Sequence, residues 1–420
     1  MQNFLLTLLV STFCNILSAQ TVDEIKDFIN RGQWDKAKTS VDAFLTKEKN
    51  ATKWEGWWYK GVIYNEIAKS EQFKNLVADG RMEAFNAFRK YYEIDTKAVQ
   101  GSLEQHVRLF DIWDNYFKIA ITLYNDDKNY EETFLNFKKT LLVEEYISSK
   151  GFEYINFKFP LFDTSLIRNI ALSAHMAKKD DSAAKYYSKI ADKKIGGGDY
   201  LDTYQFLVEY YNKKKEITNR QKYILLGREL YPDDDFWYLT ELGDVDEKDK
   251  KALFAKYAEL IKIYTSKPTL FYNYAVELYN YTYDNNKKPA DYKDLQNKIE
   301  EVLKQVLQIN KNYIEASMLI SMHLYNMTFD IQDEIKLIKG NTEAEQKKRA
   351  EIKTRMVAKV DEMIPYALNV FNVLNARTSL KPTESGNLRK ITDFLVSAYE
   401  IKGDKVKADE YKKKLESKQN

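Results

Sequence analysis

The sequence predicts an all-α fold, an α-solenoid of roughly seven to eight helical hairpins covering residues 21–420. Three observations carry this expectation. From Thr21 to Asn420 apolar residues recur three and four apart, and the breaks fall in short polar clusters. Six Pro and fourteen Gly in 420 residues are too few for a β-rich or disordered chain. Residues 117–143 also read as one complete hairpin. Phe117, Ile121 and Tyr124 face one way on a first helix, and Thr133, Phe137 and Thr140 face back from a second.

The first twenty residues stand apart. MQNFLLTLLVSTFCNILSAQ has no charged side chain, holds the apolar run Phe4–Val10 and ends on the small-residue site Leu17-Ser18-Ala19. This is the pattern of a secretory signal peptide, with cleavage after Ala19 or Gln20. The run is too short and too broken by Ser11, Thr12, Cys14 and Asn15 to anchor a membrane, so no integral span is expected after cleavage. Cys14 is the only cysteine, and Phe13 stands where a lipoprotein signal places a small residue. Cys14 therefore reads as filler of the apolar region, and the mature chain is expected to lack thiol chemistry.

The repeats follow in order. Residues 21–45 supply a half-length first helix, a turn at Arg31-Gly32 and a second helix with Ala37, Val41 and Phe44. Trp57, Gly61 and Tyr64 mark the next first helix, with Ala84 and Phe88 on its partner and either a longer helix or a loop between. After the hairpin at 117–143, Ile167, Ala171 and Ala174 oppose Ala183, Tyr187 and Ile190. The IGGGDY segment (195–200) reads as a joint. Beyond it Tyr204, Val208 and Tyr211 oppose Ile224 and Gly227, with Pro232 ending the unit. Residues 236–268 form a poorer unit closing at Pro268. Phe271, Ala275 and Leu278 then oppose Ile299, Leu303 and Val306, with a loop inserted around 281–292. The next first helix (312–326) precedes a charged insertion at about 327–355. Its partner carries Ala367 and Phe371, with Pro365 marking a kink or a start. Tyr399 and Ala408 keep the spacing into a Lys-rich capping helix at about 404–420.

Small residues (Gly61, Ala84, Ala171, Ala183, Ala275, Ala408) recur where two helices must approach closely, and large aromatics fill the holes between them. With 31 Tyr and 22 Phe there is material for many such seams. These spacings resemble the tetratricopeptide repeat, W-x2-L-G-x2-Y followed by A-x3-F at ~34 residues per unit. The chain looks like the exported tetratricopeptide proteins of Bacteroidetes-type bacteria. The likeness rests on the uncharged leader ending Ser18-Ala19-Gln20, the charged insertion after His323-Leu324-Tyr325-Asn326, and the phrase Ile364-Pro365-Tyr366-Ala367. The resemblance implies a right-handed superhelix with first helices along its concave face. It also implies a periplasmic or envelope-associated binding scaffold without catalytic activity.

The residues agree in offering little chemistry. His106, His175 and His323 are the only histidines, each alone on a helical stretch with no H-E-x-x-H. Gly196-Gly197-Gly198 is followed by no Lys-Ser/Thr and reads as a hinge rather than a phosphate cradle. There is no G-x-S-x-G and no isolated acid/base pair, so neither an enzyme nor a cofactor or metal is expected. A net charge of +2 from 65 basic and 63 acidic residues, well interspersed, argues against nucleic acid. Asp181-Ser182-Ala183 resembles a short O-glycosylation acceptor, although Asp and Ser are also good helix starters.

Extending the repeat register places Trp58, Lys118, Arg168, Tyr272, Met318, Met322, Tyr279 and Tyr325 on the concave face. The middle repeats offer Lys118 and Arg168 as charge donors. The later ones offer Tyr272, Tyr279, Met318, Met322 and Tyr325, an apolar patch of aromatic rings and adaptable thioethers. The expected function is a non-catalytic scaffold of the periplasm or cell envelope, or outside the cell, that binds a protein or peptide partner on this face. The alternative is a solute- or glycan-binding protein using the Tyr-rich C-terminal half, with Asn273, Asn280 and Asn326 at hand.

Overall fold

The computed structural model describes residues 21–283 and 288–416. The expected signal peptide and Cys14 lie outside the described residues, as does the end of the Lys-rich tail. Among the described residues every regular element is helical, and the chain divides between Asp234 and Asp235 into two compact units.

The first unit stacks five hairpins: α1 (Val22–Asn30) with α2 (Trp34–Leu45), then, after the short α3 (Glu48–Ala51), α4 (Trp54–Lys69) with α5 (Gly80–Ile94). The short α6 (Val99–Leu103) leads to α7 (Val107–Asn125) with α8 (Tyr130–Lys150). Next come α9 (Thr164–Met176) with α10 (Asp180–Ala191), and α11 (Leu201–Lys213) with α12 (Ile217–Leu230). The second unit stacks four: α13 (Phe236–Leu242) with α14 (Lys250–Ile263), α15 (Pro268–Tyr283) with α16 (Tyr292–Ile309), α17 (Ile314–Lys336) with α18 (Glu343–Asn375), and α19 (Pro382–Lys402) with α20 (Lys405–Glu416). The fold is thus all-α, a solenoid of tetratricopeptide-like hairpins. Nine close among the described residues, because both the half-length opening segment and the irregular 236–268 stretch fold back on themselves.

Side-chain caps start many of the helices. Thr21, Asp79, Asn129, Asp163 and Asp249 each accept a hydrogen bond from a backbone N–H of the first turn, satisfying one of the donors a helix start leaves open. The seams close on small residues. Gly61 lies so near the buried Phe88 ring that a Cβ there would sit 2.5 Å from it. Ala84, Ala171, Ala183 and Ala275 are fully buried at equivalent places.

Four hairpins turn in the same way. Gln33, Lys179, Glu216 and Asp404 donate their N–H groups to the carbonyls of Phe28, Ala174, Tyr211 and Tyr399, each five residues back. This is a Schellman closure, and it requires a left-handed residue just before the donor. That residue is Gly32 (φ 65°), Lys178 (φ 58°), Lys215 (φ 59°) and Gly403 (φ 74°) in turn. Two turns therefore hold a lysine in a conformation that favours glycine.

Three expectations change in detail. The charged insertion at 327–355 is largely helical: it lengthens α17 and α18 into a two-helix arm. Its seam is Ile352, Met356 and Val360, and Arg355 makes two hydrogen bonds to Glu334. The tip is fastened by Arg349, which donates to the carbonyls of Ile338 and Gly340, and by the Thr342–Glu345 capping box. Pro365 lies inside α18 rather than at its start. Pro268 opens α15 instead of closing the unit before it, the first-turn position where its missing N–H does no harm. Ser182 falls in the first turn of α10, half-buried, beside an Asp181 engaged by Lys214 and Tyr210.

Lys178→Gly and Lys215→Gly relieve the left-handed turns, so each is expected to stabilise the first unit by roughly 0.5–1 kcal/mol. Urea midpoints of the single variants measure this. A fall in midpoint would show that the lysine side chains carry an interaction worth more than the backbone strain.

Candidate partner-binding surface

In the first unit the sequence-derived residues do not converge. Trp58 is only 4% exposed, set edge-on against Phe88 at 5.3 Å and Tyr91 at 4.9 Å with the Arg108 guanidinium over its ring. It is a core side chain, because its own partner helix α5 and the next first helix α7 close over it. Asn65, two turns on, is also buried; its amide donates to Asp111 of α7 at 2.5 Å. Arg168 is committed to Asp202 at 2.9 Å and lies over Tyr200, joining α9 to the start of α11. Lys118 points into solvent and pairs with Asp114 one turn back, which raises its pKa. Of these residues, Lys118 alone is both exposed and held only by its own helix.

The second unit does assemble a surface. On the first helices α15, α17 and α19 the rings follow one another. Tyr272 lies 5.2 Å from Tyr313, and Tyr279 lies 4.7 Å from Tyr283 with its hydroxyl accepting from the Asn326 amide at 2.9 Å. Tyr325 stacks on Phe394 of α19 at 4.0 Å and donates to Ser397 at 3.2 Å. Met322 is half-buried between these rings in sequence, whereas Met318 is buried and belongs to the core, facing the α18 seam rather than solvent. The ridge runs one step further than the sequence register took it. Phe329, four residues after Tyr325 and 4.7 Å from its ring, is 42% exposed. Its spacing of i+4 was visible, but it fell in a stretch whose charge density read as an insertion.

A buried polar relay fixes the tyrosines from behind. His323 is fully buried, and its Nδ1 lies 3.1 Å from the Tyr283 hydroxyl. That hydroxyl accepts from Gln296 at 3.0 Å, and Gln296 also donates to Asp330 at 2.8 Å. Asp330 accepts further bonds from Tyr292 at 2.7 Å and Lys288 at 2.6 Å. Burial pushes the imidazole down to about 4, with Lys359 opposing protonation and Glu300 and Asp330 favouring it. A neutral His323 can accept the Tyr283 O–H at Nδ1 while the same hydroxyl oxygen accepts from Gln296.

The other histidines are equally structural in setting: His106 stacks on Phe152 at 3.8 Å, and His175 pairs with Asp180 at 2.9 Å. Among the described residues no group of His, Cys, Asp or Glu could hold a metal ion. No described helix is long and apolar enough to cross a membrane. One buried carboxyl stands out in the first unit. Glu144 on α8 accepts from the Trp113 indole at 2.8 Å, and burial together with the nearby Asp163 pushes it up to about 7.

Fold and surface together define the class, an α-solenoid of tetratricopeptide-like hairpins with an aromatic first-helix face in its second unit. No family model and no curated protein matches the sequence. Among solved structures the chain is similar to the C-terminal part of a tetratricopeptide repeat-containing protein from Cytophaga hutchinsonii, at 15% identity over 71% of this chain and 93% of that one, with a TM-score of 0.32. It is similar also to Naa15/Naa10 bound to HypK (12%, 94% and 69%, TM-score 0.25) and to the human IFIT1 dimer with PPP-AAAA (10%, 95% and 90%, TM-score 0.23). These scores are too low to carry an argument about the surface, which is read from its own side chains.

Two pH dependences of opposite sign follow. The folded pKa of His323 lies below its ordinary 6.5, so its contribution is present above that pH and is lost as pH falls towards 4. The full loss is about 3 kcal/mol. In His323→Gln this acid-side decline, followed by urea unfolding between pH 7.5 and 4.5, is expected to flatten. Glu144 is raised above its ordinary 4.5, so its penalty grows as pH rises through 7. Glu144→Gln is expected to raise the unfolding midpoint at pH 8 and to leave it nearly unchanged at pH 5.

Proposed function

We propose that the chain is a non-catalytic scaffold of the cell envelope or periplasm that holds a protein or peptide partner. The binding surface is the first-helix face of the second unit, made by Tyr272, Tyr279, Met322, Tyr325 and Phe329. One observation carries this reading. Aromatic rings on two successive first helices, α15 and α17, are left half-open, yet each is fixed by a neighbour: Tyr272 by Tyr313, Tyr279 by Tyr283 and Asn326, Tyr325 by Phe394 and Ser397. Rings already immobilised lose little entropy on binding, which is what a recognition anchor needs.

The interspersed charges and the net +2 support a protein partner over a nucleic acid. The uncharged leader at 1–20 and a chain free of cysteine beyond it support export. A glycan on the same tyrosines has weaker support, because the Asn326 amide nitrogen is already spent on Tyr279.

A photo-crosslinking residue at Phe329, introduced into the full chain in its native envelope, is expected to capture a discrete protein. The same probe at Leu225, exposed on a second helix, is expected to capture none. Tyr272→Ala with Tyr279→Ala should lower the captured yield by about tenfold, the scale of a lost anchor. Equal capture at both positions would remove the proposed face. Glycan binding abolished by the same double variant, without any protein adduct, would replace the partner class.

A further inference from the structure

We infer that the aromatic face takes its partner by an arginine side chain, seated between the Tyr272–Tyr313 ring pair and the Glu315 carboxylate. The inference rests on the first-helix face of the second unit being the binding surface, and it names what that surface selects. The seat lies where α17 begins. Tyr313 is the N-cap of α17, Glu315 falls in its first turn, and Tyr272 reaches across from the start of α15. The two rings are 5.2 Å apart and tilted by 36°, and both are half-buried, so they present an open aromatic wall.

An acid in a first turn is ordinary, since it suits the positive end of the helix dipole. Glu315 does more than that here. Its side chain is exposed and carries no ion pair among the described residues. Burial raises the pKa of the Tyr272 and Tyr313 hydroxyls, and the Glu315 charge raises each of them further. The carboxylate is therefore close enough to charge both rings negatively. On its other side opens a cleft of about 260 Å³ between α17, α18 and α19. The buried Met318, Val370 and Leu374 line it, and the exposed Asn312 and Asn387 stand at its mouth.

Charge and shape together select the occupant. Arg377 and Glu384, which also border the cleft, pair with each other and cancel. Lys311, in the turn before α17, is exposed and acts on neither hydroxyl. One carboxylate is left uncompensated beside two rings. A cation placed there is drawn by the charge and by the negative faces of the rings. Arginine answers all three parts of the seat. Its guanidinium plane stacks on a ring, its fork of N–H donors fits a carboxylate, and its methylene stem lies well on an apolar floor such as the cleft offers. Lysine has neither the plane nor the fork. A phosphate or an acidic sugar would meet Glu315 as a like charge.

The test needs no knowledge of the partner. The full chain, with a fluorotyrosine in place of Tyr313, is titrated with N-acetylarginine methylamide and followed by fluorine NMR. The probe with citrulline in place of arginine, equal in shape but uncharged, is the control. A saturable shift with arginine is expected, about fivefold weaker with citrulline. Glu315→Gln should weaken arginine binding about fivefold and leave citrulline binding unchanged, and Tyr272→Ala should weaken arginine binding to a similar extent. A Glu315 that served only its own helix would shift the urea midpoint and leave the titration as it was. The inference is overturned if arginine gives no saturable shift, if citrulline binds equally well, or if Glu315→Gln binds arginine unchanged. Crosslinking separates this outcome from the wider reading. A protein captured at Phe329 with equal yield in Glu315→Gln would keep the face and remove the arginine seat. Expected titrations with nothing captured at Phe329 would keep the seat and remove the protein partner.

Discussion

Hairpins along this chain close where two helices approach at a residue with little or no side chain. Gly61 against Phe88 is the extreme case, with Ala84, Ala171, Ala183 and Ala275 repeating it along the chain. Helices brought that near can bury a narrow seam completely, but a seam buries only one stripe of each helix. The remaining apolar stripe needs the next hairpin, and so the chain builds by stacking. Catalytic pockets are rare in such a construction. What it offers is outer faces, and their chemistry is decided by whichever residues the stacking leaves uncovered.

That last step is where sequence reading and structure part. The period of small and large residues was sufficient for the hairpins, their order and the joint at 195–200, because seam packing is local and repeats. It was insufficient for the face. Trp58 and Met318 stand at face positions of the repeat yet are buried, since coverage depends on the side chains of the partner helix: Phe88 and Tyr91 of α5 for the first, the α18 seam for the second. Phe329 was hidden for the opposite reason. A two-helix arm needs only one apolar stripe, so its sequence is mostly charge and does not look like folded helix.

The two buried titratable groups show how differently the units use polarity. His323 is neutral in a relay that ends on Asp330, and it positions Tyr283 and through it Tyr279 on the aromatic face. Glu144 sits under the 151–163 loop with one indole donor and a second carboxylate nearby. In both cases burial has removed the water that would stabilise the charged form, and the fixed partners only adjust the shift that follows.

The arm of α17 and α18 has a geometric consequence of its own. It closes on a seam of its own, Ile352, Met356 and Val360, so the length of its helices can vary as long as both change together. Seven residues removed from each would draw the tip in by about 10 Å and restore the same facing side chains, since seven residues are close to two full turns. The Tyr325 seam would not move. The arm is in that sense an adjustable ruler, able to set how far its tip stands from the aromatic rings at its base without disturbing them.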